Sequence, residues 1–225
     1  IDARREELLA IANTRDGNDE FIFSGFQSNQ QPFVARPGGV DYVGDDGQRF
    51  VEVASGARVA VRDSGSRVFL AVPAGNGRFD FRVSGNEGTA VVRSASADSS
   101  FVRQDYTISF EQATPTDPIT YEVVDGAANV VATGTYSSGD EISFNGARLI
   151  VEGVPADGDS IFVYSTPRQS IFVTLSEISE ALKANTGTPA SDAEVNNAMA
   201  SALRNIDQAI DNVVDVRSEV GARLN

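Results

Sequence analysis

Helix at both chain ends and strand between them predict an α+β fold. Three observations carry the prediction. The last thirty residues hold an apolar heptad seam, Met199, Ala202, Ile206, Ala209, Val213, Val216 and Val220, stepping 3, 4, 3, 4, 3, 4 along one side of a helix. Residues 21–166 alternate with period two, as half-buried strands do. The first thirteen residues again have helical spacing, with Ile1, Leu8 and Ile11 near one face and Arg4, Arg5, Glu6 and Glu7 elsewhere.

In chain order, the first helix runs out at Asn13-Thr14, before Asp16-Gly17. Strands are predicted at 20–24, 49–54, 58–63, 79–84, 89–95, 101–111, 119–125, 129–136, 141–144, 147–152 and 160–165. Turn dipeptides punctuate them: Asp46-Gly47, Asn76-Gly77, Asp125-Gly126, Asn145-Gly146 and Asp157-Gly158. Many short strands at this spacing imply an antiparallel barrel or sandwich, in one or two subdomains. Polar Ser96-Ala97-Asp98-Ser99-Ser100 is the best internal boundary. Helix returns near Gln169, where Ile171, Phe172, Leu175, Ile178 and Leu182 repeat helically, and breaks over 185–189. Ser191 or Asp192 is expected to cap the final helix, with Glu194 in its first turn, and the helix runs to about Leu224. This gives a discontinuous helical domain of residues 1–24 and 167–225, with 25–166 as the inserted β domain.

The two terminal helices are unequal. At 1.5 Å per residue the last is roughly 50 Å long and the first only about 20 Å. The seam therefore wants more cover than the first helix offers. A bundle closed within one chain is the plain account; cover by an upstream helix or by other subunits is the other.

Composition narrows function by exclusion. Among 225 residues the formal charge is −14, which repels nucleic-acid phosphates and anionic membrane surfaces. No apolar run reaches the length of a membrane span. Cys, His and Trp are absent, and Lys183 is the sole lysine. That removes disulfides, thiolate and imidazole catalysis and Cys- or His-based metal sites. No catalytic residue, cofactor or metal is assigned. Asp16-Gly17-Asn18-Asp19-Glu20 gathers oxygen ligands but lacks the later bidentate Glu of a calcium loop, and a helix-to-strand turn explains it. Asp45-Asp46-Gly47 and Asp157-Gly158-Asp159 read as hairpin turns.

Four stretches, in order and at helix–sheet boundaries, carry a resemblance. Residues 8–33 contain Ala12-Asn13-Thr14, then Phe23-Ser24-Gly25 on a strand, then Pro32-Phe33. Residues 40–59 contain a Tyr-x-Gly-Asp block. Residues 151–182 run from a Gly-Asp strand into a Ser-Ile-Phe helix start. Residues 210–225 end in Gly221-Ala222-Arg223-Leu224-Asn225. Together they resemble the hook-associated protein 3 family of bacterial flagellar hook–filament junction proteins, relatives of flagellin. Ser28 stands where members often carry Thr, and 65–150 resembles the family poorly.

The resemblance implies a flagellin-like helical bundle formed by both chain ends, in a fragment lacking both terminal polymerisation segments. It implies a structural, non-enzymatic adaptor, exported by the flagellar secretion system and extracellular in the flagellum. Its implied partners are hook-associated protein 1, flagellin, further copies in a ring, and an export chaperone bound through the missing termini. The seam would pack on the protein's own upstream helix, including Leu8 and Ile11, with neighbouring subunits outside. Asp207, Asp211, Arg217, Glu219 and Arg223 are the charged flanks expected to face those neighbours. The alternatives are an adhesin or glycan-binding tip on a helical stalk, or a flagellin itself.

Overall fold

The computed structural model describes residues 1–37, 39–54, 57–60, 63–84, 87–165 and 168–224, and at 53, 54, 57, 84 and 224 the backbone alone. Helix α1 (Asp2–Ala12) opens the chain. Two hairpins follow, β1 (Phe33–Arg36) with β2 (Gly39–Tyr42), and β3 (Phe50–Ala54) with β4 (Ala57–Ala60). A π-helical turn spans Ser66–Leu70. Then come β5 (Asp80–Ser84), β6 (Val91–Ala97), β7 (Tyr106–Glu111), β8 (Thr120–Asp125), β9 (Val130–Thr135), β10 (Glu141–Phe144), β11 (Ala147–Glu152) and β12 (Ser160–Tyr164). Helices α2 (Ile171–Ala184) and α3 (Pro189–Leu224) close it. The α+β class and the helix–strand–helix order match the sequence reading.

The chain forms two compact units, one of residues 1–73, 168–179 and 205–225, the other of 74–167 and 180–204. Both long helices thus change unit partway along. The β-rich unit stacks the antiparallel sheet β5-β12-β7-β8-β9 on a second one, β10-β11-β6. The inward residues of both sheets share one core: Phe81, Ile108, Phe110, Val123, Ile161 and Val163 from the first, Val92, Ile142, Phe144, Leu149 and Val151 from the second. Residues 96–100 lie inside this unit, at the end of β6 and in the turn that Asp98 closes by accepting the Ser100 N–H at 2.8 Å.

Several turns follow their chemistry. Asn145 and Gly146 have φ of 42° and 82°, the pair a two-residue hairpin turn requires, and a Cβ on Gly146 would lie 2.4 Å from the Phe101 nitrogen. In the β8–β9 turn the positive φ falls on Ala128, at 62°, instead of Gly126. Asp125 makes that affordable, accepting the N–H groups of Ala127 and Asn129, each at 2.9 Å. Hydrogen bonds to those N–H groups hold the Asp125 carboxyl below its usual range.

Three expectations need correction, and one hairpin is absent from the sequence reading. Residues 20–24 form turns, with only a single bridge from Phe21 to Arg15, because Ser24 Oγ folds back onto the Phe21 carbonyl. Hairpin β1–β2 was unread, since Pro32, Pro37 and Gly39 mimic loop punctuation around four-residue strands. The strand expected at 101–111 starts at Tyr106, after Phe101 and Val102 have bonded Asp98 and Asn145. Thr188, not Ser191 or Asp192, caps α3. Its Oγ1 accepts the Ser191 N–H at 3.2 Å and Ser191 Oγ accepts the Thr188 N–H at 3.1 Å, a reciprocal box with Pro189 at the first helical position.

Asp159 is the tightest polar staple of the β-rich unit. It is 2% exposed and accepts the N–H groups of Glu87, Gly88 and Ala156 at 2.9, 3.1 and 2.9 Å. Asp159→Ala strands all three donors and is expected to destabilise by about 2–4 kcal/mol, read by denaturant unfolding. A loss below about 0.5 kcal/mol would show that water replaces the carboxylate.

Candidate functional site

The resemblance residues near the N-terminal end assemble around one aromatic cluster. Asn13, just past α1, pairs with the main chain of Phe33 as a strand would. Its Oδ1 accepts the Phe33 N–H at 3.0 Å and its Nδ2 donates to the Phe33 carbonyl at 2.9 Å. This fixes Phe33, fully buried, against Tyr42, Phe69 and Phe172 at ring-centroid distances of 5.0, 5.4 and 5.6 Å. Phe23 meets Phe69 edge-on at 5.0 Å. Ser24 is fully buried, and the Pro32 carbonyl accepts the Val43 N–H at 2.8 Å.

Gly25 has a φ of 70°, and a Cβ there would sit 2.2 Å from the Asp45 carbonyl oxygen. Glycine is required on both counts. Asp45 in turn accepts the N–H groups of Phe26 and Gly47, which lower its pKa. Tyr42 donates to the Asp45 carbonyl at 2.8 Å, and burial pushes its phenol up to about 12, so it stays a donor. Leu8, half-buried, packs on this cluster, as does Val216 of α3.

Helix α3 presents an unexpected side to its own chain. In the β-rich unit Asn197, 4% exposed, accepts the Val92 N–H and donates to the Ala90 carbonyl, both at 2.8 Å. Ser201 donates to the buried Asp80 at 2.8 Å, and Arg204 lies 4.4 Å over the Phe81 ring. In the other unit Asn212 Nδ2 donates to the carbonyls of Arg67 and Val68 at 3.2 and 3.1 Å, on the π-helical turn. Beyond it, Arg67 pairs with Glu219 at 2.6 Å, and Arg223 reaches the buried Asp63 at 3.1 Å. Polar residues at steps of three and four thus face inward.

The apolar seam is divided accordingly. Ala202 is buried and Val216 half-buried. Met199, Ile206 and Ala209 are half-buried, while Val213 and Val220 are 47% and 38% exposed. Of the two α1 residues expected on the seam, Leu8 shares the aromatic cluster with seam residue Val216, whereas Ile11 is 52% exposed; α1 also bonds α2, through Asp2 with Ser179 and Arg5 with Ser176. Asp207, Asp211, Arg217 and Glu219 are exposed, Glu219 pairing with Arg67, while Arg223 is half-buried and pairs with Asp63. Gly221 is half-buried, Leu224 ends α3, and Asn225 lies outside the described residues.

Sequence reasoning missed Asn197, Ser201 and Asn212, and their partners Asp80, Asp63 and Arg67. The spacing of the three α3 residues was visible, but polar residues at helical spacing read by default as a solvated face. It also missed a second exposed apolar row on α3: Leu203, Ile210 and Val214 are 56%, 56% and 54% exposed.

No group of acidic side chains among the described residues is placed to hold a metal ion, and no described helix is long and apolar enough to cross a membrane.

Two outcomes follow from this geometry. Asn212→Ala leaves two carbonyls unpaired and is expected to cost about 1–3 kcal/mol in unfolding free energy, against under about 0.5 kcal/mol for exposed Asp211→Ala. Equal effects of the two would contradict the inward role of Asn212. The Arg67 hydrogen bond, with the Arg67 and Arg223 charges, lowers the Glu219 pKa. Its contribution is therefore complete above the ordinary carboxylate range and lost as pH falls through the folded value. Amide-exchange protection over 216–223 should fall as pH drops through and below the ordinary carboxylate range, and Glu219→Gln should flatten that fall.

Comparison with known proteins gives a consistent result. No family model matches the chain. The flagellar hook-associated protein 3 of Escherichia coli (strain K12) is 32% identical over 69 residues, which is 31% of this chain and 21% of that protein. The chain thus matches only about a fifth of that relative's length. Crystal structures extend the likeness. Xanthomonas campestris FlgL matches with a TM-score of 0.91 and 33% identity over 99% of this chain and 73% of its own. The flagellar junction protein FlgL from Legionella pneumophila matches with a TM-score of 0.89 and 33% identity over 100% of this chain and 76% of its own. The paired helical ends, the strands between them and this identity across almost the whole chain lead to one conclusion: the chain belongs to the FlgL (hook-associated protein 3) family of structural proteins at the flagellar hook–filament junction.

Proposed function

We propose that this chain is the body of an adaptor that joins hook-associated protein 1 to the flagellin filament, outside the cell, through side-by-side helix packing. The observation that carries the proposal is the open seam of α3. Val213 and Val220 remain exposed although the helix is firmly held on its polar side. A helix anchored by hydrogen bonds with part of its apolar stripe exposed is suited to receive another helix. The occupant we assign to the seam is an upstream helix of the same protein, with neighbouring copies packed outside as a ring. On this reading residues 1–24 and 167–225 act as the shaft and 25–166 as the outer domain.

No reacting group is needed for such a role. The work is mechanical: matching one helical lattice to another by apolar burial, at roughly 25 cal/mol per Å² of covered surface. A chain without cysteine suits export in an unfolded state, since no disulfide must form on arrival.

Val213→Asp separates stability from assembly. At an exposed position it should change the unfolding free energy of this chain by less than about 1 kcal/mol. In cells carrying the full-length variant it should abolish filament growth and motility, because assembly would bury an unpaired carboxylate. Wild-type motility with Val213→Asp would overturn the seam as an assembly surface.

A further inference from the structure

Helix α3 has a second open side that one seam partner does not cover. Ile210 and Val214 each stand two residues from Asn212, about 200° around the helix, and so point away from the anchored side. Seam residue Val213 is only about 100° from Asn212. A helix laid along the seam leaves Ile210 and Val214 open at 56% and 54% exposure. Asp207, Asp211 and Asp215 run beside them at four-residue steps, exposed and with no ion-pair partner among the described residues.

The same compact unit carries a complementary element. Hairpin β3–β4 is a two-stranded sheet of its own. Such a ribbon is marginal in water without a surface to pack on. Neighbouring Phe50 and Val51, which point to opposite faces of the strand, are 55% and 46% exposed. Arg58, in register with Glu52, is exposed and has no ion-pair partner among the described residues. An apolar ribbon with a free guanidinium matches an apolar row edged by free carboxylates.

We propose that the β3–β4 hairpin of one copy docks on the Ile210–Val214 side of α3 in the next copy, with Arg58 against the Asp207–Asp211–Asp215 row. The two patches differ, so the contact is heterologous, and repetition generates a ring or a helix instead of a closed dimer. This inference rests on the assembly reading above and gives it a specific contact.

The absence of native cysteine allows a clean test. Phe50 lies two residues from Glu52, the register partner of Arg58, and so shares the Arg58 face; full-length Phe50→Cys and Val214→Cys variants are co-expressed as separate chains, and isolated flagella are oxidised. The expected product is a mixed disulfide dimer, several-fold above what either variant forms alone. Motile cells whose flagella yield only monomer would overturn the contact while leaving the junction role standing. Efficient dimerisation of Val214→Cys alone would also overturn it, in favour of a symmetric helix pair. If the cysteine variants do not assemble, charge exchange decides. Motility lost in Arg58→Asp and regained with Asp211→Arg supports the contact; no loss, or no recovery, overturns it.

Discussion

Everything distinctive about this chain depends on how α3 is tied down. The helix is held by side chains that bond main-chain and carboxylate groups, while of its apolar stripe Ala202 is buried, Val216 packs on the aromatic cluster, and Val213 and Val220 stay exposed. Asn197 spans the Val92 N–H and the Ala90 carbonyl in one unit, and Asn212 holds two carbonyls of the π-helical turn in the other. Hydrogen bonds of this kind contribute about 1 kcal/mol each, but they are directional and reject a slipped register. Apolar packing alone would tolerate a slide of one turn far better. The helix is therefore fixed along its axis and about it, with Val213 and Val220 of its seam turned outward.

The aromatic cluster at the end of α1 does the complementary task. Asn13 imitates a strand residue, and that pairing seats Phe33 among Tyr42, Phe69 and Phe172. The buried rings supply the driving force, while Gly25 and Asp45 shape the loop that brings Phe23 onto Phe69. Val216 and Leu8 join the same cluster, so the beginning of the chain and its last helix share one small core. Its residues are among those that carry the family likeness, and they act as structural joints with no chemistry of their own.

Much of this was legible in the sequence. Alternation and turn dipeptides located nine of the twelve strands that form the sheets closely, because period two and Asn-Gly chemistry are local signals. The Asn13, Gly25 and Phe33 motif was visible, though not that the first and last of these bond each other. The inward side of α3 was not legible. Helical spacing shows that Asn197, Ser201 and Asn212 share a side, but nothing local says that backbone groups 105 to 145 residues away wait there. The apolar stripe looked like the in-chain face for the same reason. A stripe meant for another chain and one meant for the core have the same periodicity.

The central claim is that α3 keeps its polar side within its own chain and gives its apolar side to the assembly. A side-chain-resolution reconstruction of the hook–filament junction tests it most directly. The account predicts Ile206, Val213 and Val220 covered by a second helix, with Asn212 still bonded to the Arg67 and Val68 carbonyls. Seam residues left in solvent within the assembled junction, or Asn212 turned away from the π-helical turn, would contradict it.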